Sequence, residues 1–161
     1  MIGLRVGIGY DVHQLVPDRQ LILGGIIIES NLGALGFSDA DVLIHAIADA
    51  ILGAAALGDI GKHFPDTNEK NAGLPGHVIL KEVLKLISNS NYELVNIDST
   101  VILQSPKISE YIPEIRKSIA KILNMDINSV SVKATTTEKL GFTGKNEGIA
   151  AEAVVLLSNN K

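Results

Sequence analysis

The sequence predicts an α+β fold, a single domain with a mixed β-sheet and three helices packed on one face. Three observations predict it. Apolar segments with strand character stand at both ends of the chain and between the helical patterns. Three segments repeat apolar residues at helical spacing. And 161 residues with 46% hydrophobic content suffice for one core, while no internal repeat, low-complexity tract or linker divides the chain.

In order along the chain, Leu4 to Tyr10 reads as a short strand that ends in Asp11-Val12-His13. Gln20 to Ile28 is a second apolar segment, and its Gly24-Gly25 marks a bulge or bend. Asn31 to Phe37 is loop-like. Ser38 then opens a long helix to about Leu57, with Asp41 three residues on in the manner of a capping box and Gly58 as a stop. Gly58 to Gly76 reads as a long loop, His77 to Ser88 as a helix and Tyr92 to Gln104 as a strand. A third helix is expected from about Ser109 to Leu123, with Pro113 tolerated in its first turn. Val130 to Thr136 alternates as a strand, Thr137 to Gly148 is a Gly-rich loop, and Ile149 to Leu157 is the last strand.

Composition narrows the function classes. A net charge of -4 without a Lys/Arg run argues against nucleic acid or an anionic membrane as the main partner. Cysteine is absent, so disulfides, thiolate metal sites and Cys nucleophiles are excluded, and any transition metal must use His, Asp or Glu. No apolar stretch approaches the roughly 20 residues that span a bilayer, and the N-terminus shows no signal or transit pattern. A cytoplasmic protein is the expectation.

Residues two apart on a strand share a face, so Asp11 and His13 project together while Val12 turns away. A carboxylate beside an imidazole makes two thirds of a typical catalytic zinc site, and His45 is the candidate third ligand, leaving the fourth position open. His45 lies on a helix that is apolar almost all round, in one polar stripe with Asp41 and Asp49. Charged groups on a buried helix call for a common partner, and Asp41 or Asp49 could orient an imidazole from behind. The bland alternative is a satisfied core histidine and a D-x-H turn. Gly7-Ile8-Gly9 is not a dinucleotide fingerprint, because Val12 stands where a third Gly belongs; Gly144-Lys145 likewise falls short of a P-loop. Thr135-Thr136-Thr137-Glu138 offers hydroxyls and amides for phosphate oxygens and a carboxylate for a hard cation, or else is a Thr-rich edge with a solvated Glu. His63 and His77 read as ordinary loop or surface histidines.

Five blocks in this order resemble the 2-C-methyl-D-erythritol 2,4-cyclodiphosphate synthase family over nearly the whole chain. They are Gly9-Tyr10-Asp11-Val12-His13; Ser38-Asp39-Ala40-Asp41-Val42 with His45; Gly58-Asp59-Ile60-Gly61 with Phe64-Pro65-Asp66-Thr67; Gln104-Ser105-Pro106-Lys107; and Lys133 through Gly144. The resemblance implies a homotrimer with active sites at subunit interfaces. It implies Asp11, His13 and His45 as zinc ligands, and Glu138 as the ligand of a second cation, Mg²⁺ or Mn²⁺. Ser38, Asp59, Ile60, Gly61, Phe64, Pro65, Asp66, Thr67 and Asn68 match positions that hold the methylerythritol phosphate end, and Asp11, Val12 and His13 match substrate-binding positions as well. Leu103, Gln104, Ser105, Pro106, Lys107, Ile108 and Ser109 match the cytidine diphosphate pocket together with Thr135, Thr136, Thr137 and Glu138. Thr136 matches a transition-state stabilising position, and Phe142 and Lys145 match further contacts.

The implied reaction is closure of 4-diphosphocytidyl-2-C-methyl-D-erythritol 2-phosphate to the cyclic diphosphate with release of CMP. Two departures stand out. Phe37 occupies the position of a family His thought to stabilise the reacting phosphate, and a phenyl ring can neither donate a hydrogen bond nor carry charge. Lys145 stands where Arg is common, which weakens the expected binding of an isoprenoid diphosphate in a central trimer cavity. The alternatives to a cyclase are a metal- and nucleotide-binding trimer with weakened catalysis, and a zinc phosphohydrolase giving the linear bisphosphate.

Overall fold

In the computed structural model, which describes residues 2–160, β1 (Ile2–Val16) runs well past Asp11 and His13, so both lie within a strand and not at its end. The alternation that pairs their side chains therefore holds throughout. β1 and β7 (Gly148–Asn160) are antiparallel neighbours, with Asp11 opposite Ala151 and His13 opposite Ile149. β4 (Gly33–Leu35) flanks β1 on the other side, inside a segment expected as loop. β5 (Glu93–Ile102) pairs antiparallel with β7 and parallel with β6 (Val130–Thr135), completing a mixed five-stranded sheet in the order β4-β1-β7-β5-β6.

Gly24-Gly25 is neither bulge nor bend. It is the two-residue turn of a separate hairpin, β2 (Leu21–Leu23) with β3 (Ile26–Ile28). Both glycines have positive φ, 60° and 77°, as a type I′ turn requires. The turn is docked by its backbone: Asp41 Oδ1 accepts from Gly24 N at 3.0 Å, Asp41 Oδ2 from Gly25 N at 2.7 Å, and Ser118 Oγ donates to Gly24 O at 2.6 Å.

Asp41 is also the N-cap of α1 (Val42–Ala54), accepting from Ile44 N at 3.1 Å, so the helix begins three residues later than a Ser38 cap implies. Burial pushes the Asp41 carboxyl up to about 6, against the pull of those three amide donors. The helix stops at Ala54, because Ala56 turns left-handed at φ 58° and Leu57 N–H returns to Leu52 O. The expected long loop carries a short helix, α2 (Ile60–His63), and a 3₁₀ turn at Glu69–Asn71. α3 (Gly76–Asn89) and α4 (Ile112–Leu123) follow, the latter starting three residues after Ser109 with Pro113 in its first turn. Within the Gly-rich segment lies one more short turn of helix, α5 (Gly141–Gly144).

α1 is buried between the inner face of the sheet and α3, the reason for its apolar circumference. It approaches β1 closely because Gly7 and Gly9 face it: a Cβ on Gly9 would lie 2.0 Å from Ala46 O, and one on Gly7 2.0 Å from Ala50 O. These glycines, which resemble half a nucleotide motif, let helix backbone rest on strand backbone. On the opposite face Leu4, Val6, Ile8, Tyr10 and Val12 of β1 are exposed beside Val154 of β7, with Ile8 at 71%. An apolar sheet face left uncovered in one chain marks an interaction surface.

Candidate metal centre and active cavity

Three side chains converge where β1 passes the N-terminal half of α1. Asp11 Oδ2 lies 3.0 Å from His13 Nε2 and 3.0 Å from His45 Nδ1, and the two imidazole nitrogens are 3.2 Å apart. Ligand atoms of a tetrahedral ion with bonds of about 2.0–2.1 Å lie about 3.3–3.4 Å apart, so this triangle needs little adjustment to form one face of such a tetrahedron. Among the described residues, this is the group of three able to hold a metal ion.

The proton inventory fits a cation. His13 Nδ1 is 3.0 Å from Leu35 O, and a carbonyl can only accept, so Nδ1 carries the hydrogen and Nε2 presents its lone pair to the group. β4 supplies that carbonyl through its register with β1, Gln14 opposite Leu35. With His45 Nδ1 turned into the group, His45 Nε2–H donates to Ser38 Oγ at 3.2 Å, and Asp39 Oδ1 stands 3.9 Å away. Ser38 Oγ also accepts from Ala40 N at 3.3 Å, which leaves its own hydrogen free to donate into the cavity.

Neither Asp41 nor Asp49 backs an imidazole. Asp41 serves the hairpin and the helix cap, while Asp49 Oδ1 accepts from Ile60 N at 2.7 Å and fixes α2 to α1. The polar stripe thus has three separate partners. Burial raises the Asp49 carboxyl, countered by the Ile60 amide. Asp39 is the residue that sequence reasoning missed: besides facing His45, it accepts from Gly76 N at 2.6 Å and ties the site to the start of α3. Its only local signal was its place between Ser38 and Asp41.

Burial works to raise the Asp11 carboxyl, but hydrogen bonds and charge from His13 and His45 outweigh it and hold the group well below the usual carboxylate range. Burial likewise disfavours charge on His45, and the Asp11 carboxylate overcomes it, raising the imidazole above its ordinary value. A divalent ion must displace the His45 proton. Because that proton is held more tightly than usual, metal binding is penalised below the raised pKa and freed of the penalty above it. The rise in melting temperature on adding Zn²⁺ to chelator-stripped protein is therefore expected to be larger at pH 8.5 than at pH 6, measured by calorimetry with and without the ion.

A cavity of about 360 Å³ opens at the group. It is lined by Asp11, His13, Phe37, Ser38, His45, Ile60, Gly61, Phe64, Pro65, Asp66 and Thr67, together with Asn71, Leu74 and Ile79, which the sequence did not single out. A second cavity of about 230 Å³ gathers Leu103, Gln104, Pro106, Lys107, Ile108 and Ser109 with Ala134, Thr135 and Thr136. The two share no lining residue. Val12 faces away on the bare side of the sheet, and Asp59 caps α2 by accepting from Lys62 N at 2.9 Å. Glu138 is exposed and accepts from Thr136 Oγ1 at 2.9 Å; Phe142 packs on Gly148, and Lys145 is exposed. Ser105 and Asn68 also lie outside both linings, though Ser105 borders a roomier cavity of about 590 Å³ with Glu29, Lys107 and Tyr111. His63 donates through Nε2 to Leu57 O at 3.0 Å, and His77 is exposed at the start of α3.

Fold and site together define a single-domain α+β protein with a His₂Asp group able to hold a metal ion at the mouth of a cavity. The chain belongs to the YgbB family, whose model matches residues 4–158. It is 57% identical over 154 residues to the 2-C-methyl-D-erythritol 2,4-cyclodiphosphate synthase of Clostridium acetobutylicum, covering 96% of this chain and 99% of that one. It is 60% identical over 151 residues to the synthase of the same name from Alkaliphilus oremlandii, covering 94% and 96%. Among solved structures it resembles IspF of Plasmodium falciparum in complex with CDP, at 40% identity and a TM-score of 0.87 over 99% of this chain and 98% of that one. The bifunctional IspDF of Campylobacter jejuni matches at 41% identity and a TM-score of 0.96, over all of this chain but 44% of that longer one. No helix among the described residues is long and apolar enough to cross a membrane.

Proposed function

We propose that this chain closes 4-diphosphocytidyl-2-C-methyl-D-erythritol 2-phosphate into 2-C-methyl-D-erythritol 2,4-cyclodiphosphate with release of CMP, in the non-mevalonate route to isoprenoid precursors. The observation that carries the reading is the Asp11–His13–His45 triangle at a cavity, in a chain 55–60% identical to synthases of that name. Zinc suits the two imidazoles and one carboxylate, and Mg²⁺ or Mn²⁺ suits the oxygen donor Glu138.

The chemistry asks little of the protein beyond placement. The 2-phosphate oxygen of the substrate, already anionic, attacks the β-phosphorus; the bond from that phosphorus to the CMP oxygen breaks, and CMP leaves with the electron pair. No Ser or Cys nucleophile and no strong base is needed. Ser38 and the α2 segment hold the methylerythritol end, and the Leu103–Thr136 cavity holds the cytidine end, so the chain is folded back on itself. When bound, the two cations supply positive charge to the crowded phosphates and a pull on the departing oxygen. Phosphorus NMR of purified protein with substrate, zinc and Mg²⁺ tests the reading. Cyclic diphosphate and CMP are expected; a linear bisphosphate would mean hydrolysis, and unchanged substrate would mean a binding module.

Phe37 favours the weakened-catalysis alternative, since a phenyl ring, 46% exposed, lines the cavity where a donor would serve the phosphate. Phe37→His is expected to raise kcat about tenfold or more. A rate unchanged or lowered would show that Phe37 is not a handicap.

The active assembly is a homotrimer. Its support is the bare apolar face of β1 and β7, together with the separation of the two cavities in one chain, which suits a site completed across a subunit boundary. Sedimentation equilibrium is expected to give three chains per particle. Ile8→Asp, which sets a charge in that face without touching either cavity, should give monomers that do not turn over; a trimer of Ile8→Asp would remove this face from the interface.

A further inference from the structure

We infer that Gln104 is a positioning residue for Glu138, acting through the backbone amide of Lys139. The inference rests on the cyclase reading above, in which Glu138 holds the second cation. Leu103 N–H bonds Thr135 O at 3.0 Å just beyond the paired ends of β5 and β6, and Gln104 follows, half-buried in the wall of the second cavity. Its Oε1 accepts from Lys139 N at 3.1 Å, across 35 residues of sequence.

What this bond holds is unusual backbone. Glu138 and Lys139 are consecutive non-glycine residues in the left-handed region, with φ 52° and 66°. Such a pair persists only where its surroundings over-determine it. From within the loop, Thr137 Oγ1 donates to Leu140 O at 2.6 Å and lies 2.9 Å from the buried Thr143 Oγ1. Gly144 lets the Lys139 backbone come close, for a Cβ there would stand 2.3 Å from the Lys139 carbonyl carbon. Thr136 Oγ1 then donates to Glu138 Oε1 and accepts from Glu138 N. These contacts all arise within residues 136–144. The Gln104 bond fixes the loop to the end of β5, and thereby sets the direction of the Glu138 carboxylate relative to the cavity wall that Gln104 itself forms. The side chain thus acts as an acceptor for protein, whatever the cavity holds.

The test compares Gln104→Ala, Gln104→Leu and Gln104→Glu with wild type and Glu138→Gln. Hydrogen exchange at the Lys139 amide, read by NMR, is expected to quicken about tenfold or more in the Ala and Leu variants, which lack an acceptor. It should stay near wild type in Gln104→Glu, which retains one. Mn²⁺ titrations in the presence of CDP, followed by electron paramagnetic resonance, should show affinity falling about tenfold or more in Gln104→Ala, in the direction of Glu138→Gln. In turnover, kcat should fall in Gln104→Ala and recover toward wild type in Gln104→Glu. Wild-type exchange and Mn²⁺ affinity in Gln104→Ala and Gln104→Leu, with Glu138→Gln impaired, would overturn the inference, as would fast Lys139 exchange in Gln104→Glu. Should wild type itself neither cyclise the substrate nor bind Mn²⁺ with CDP, the cyclase reading fails and with it the role of Gln104 in aiming a cation ligand.

Discussion

On the cyclase function proposed above, His45→Ala is expected to abolish binding of added zinc and the proposed activity together, with turnover lowered at least about a hundredfold to a thousandfold, the range seen when one preorganised electrostatic partner of a reacting group is lost. Geometry gives the reason. The triangle has sides of 3.0, 3.0 and 3.2 Å, and without His45 only Asp11 and His13 remain, both partly open to solvent. Two donors on one strand cannot enclose an ion against water. His45 is 4% exposed, so truncation also leaves a hole beneath the cavity and lowers stability. His45→Gln keeps most of the volume and separates the two effects: its melting temperature should lie closer to wild type while its metal content remains low. Metal content of the purified variants, by plasma mass spectrometry, checks the first claim without reference to any substrate. A His45→Ala protein that retained one zinc per chain would mean that Asp11, His13 and His45 are not the metal centre.

How much of this site sequence alone reveals depends on what periodicity can carry. Period-two alternation places Asp11 and His13 on one face whether the strand stops at Tyr10 or continues to Val16, so an error in the strand's end leaves the ligand pair intact. The helix stripe Asp41, His45, Asp49 is equally legible, but a stripe shows which residues share a face and not what each one meets. Eight residues of helix span about 12 Å, too far for three side chains to reach one ligand, and each finds its own partner in the hairpin turn, β1 or α2. The same limit hides Asp39, whose acceptor role is set by Gly76, 37 residues on. It also hides the hairpin, since Leu-Gly-Gly-Ile alternates as well around a bulge as around a turn. Asp41 and Ser118 decide between them from a distance.

Gly9→Ala is expected to damage the fold and the metal site through a single added methyl group. Its Cβ would stand 2.0 Å from Ala46 O and 2.7 Å from Ala50 N, and both are helix backbone, which cannot swing aside as a side chain can. Strand and helix must separate. Forcing an extra carbon into a packed core typically costs about 1–3 kcal/mol, a large part of the roughly 5–15 kcal/mol that holds a domain together. The displaced atoms are also the frame of the site, for Gly9 precedes Asp11 by two residues on the same face of β1, and Ala46 adjoins His45 on α1. An ion with bonds of about 2.0–2.1 Å cannot reach donors that have moved apart, so zinc affinity should fall about tenfold or more as the Asp11–His45 approach widens. Gly53→Ala is the internal control. It lies on the same helix, where a Cβ would meet only Ile8 O at an ordinary 3.8 Å, so it should stabilise by about 0.5–1 kcal/mol through helix propensity with zinc affinity unchanged. Melting temperatures and zinc titrations of the two variants side by side settle the matter. Equal behaviour would mean that the close passage of α1 over β1 does not set the distance between Asp11 and His45.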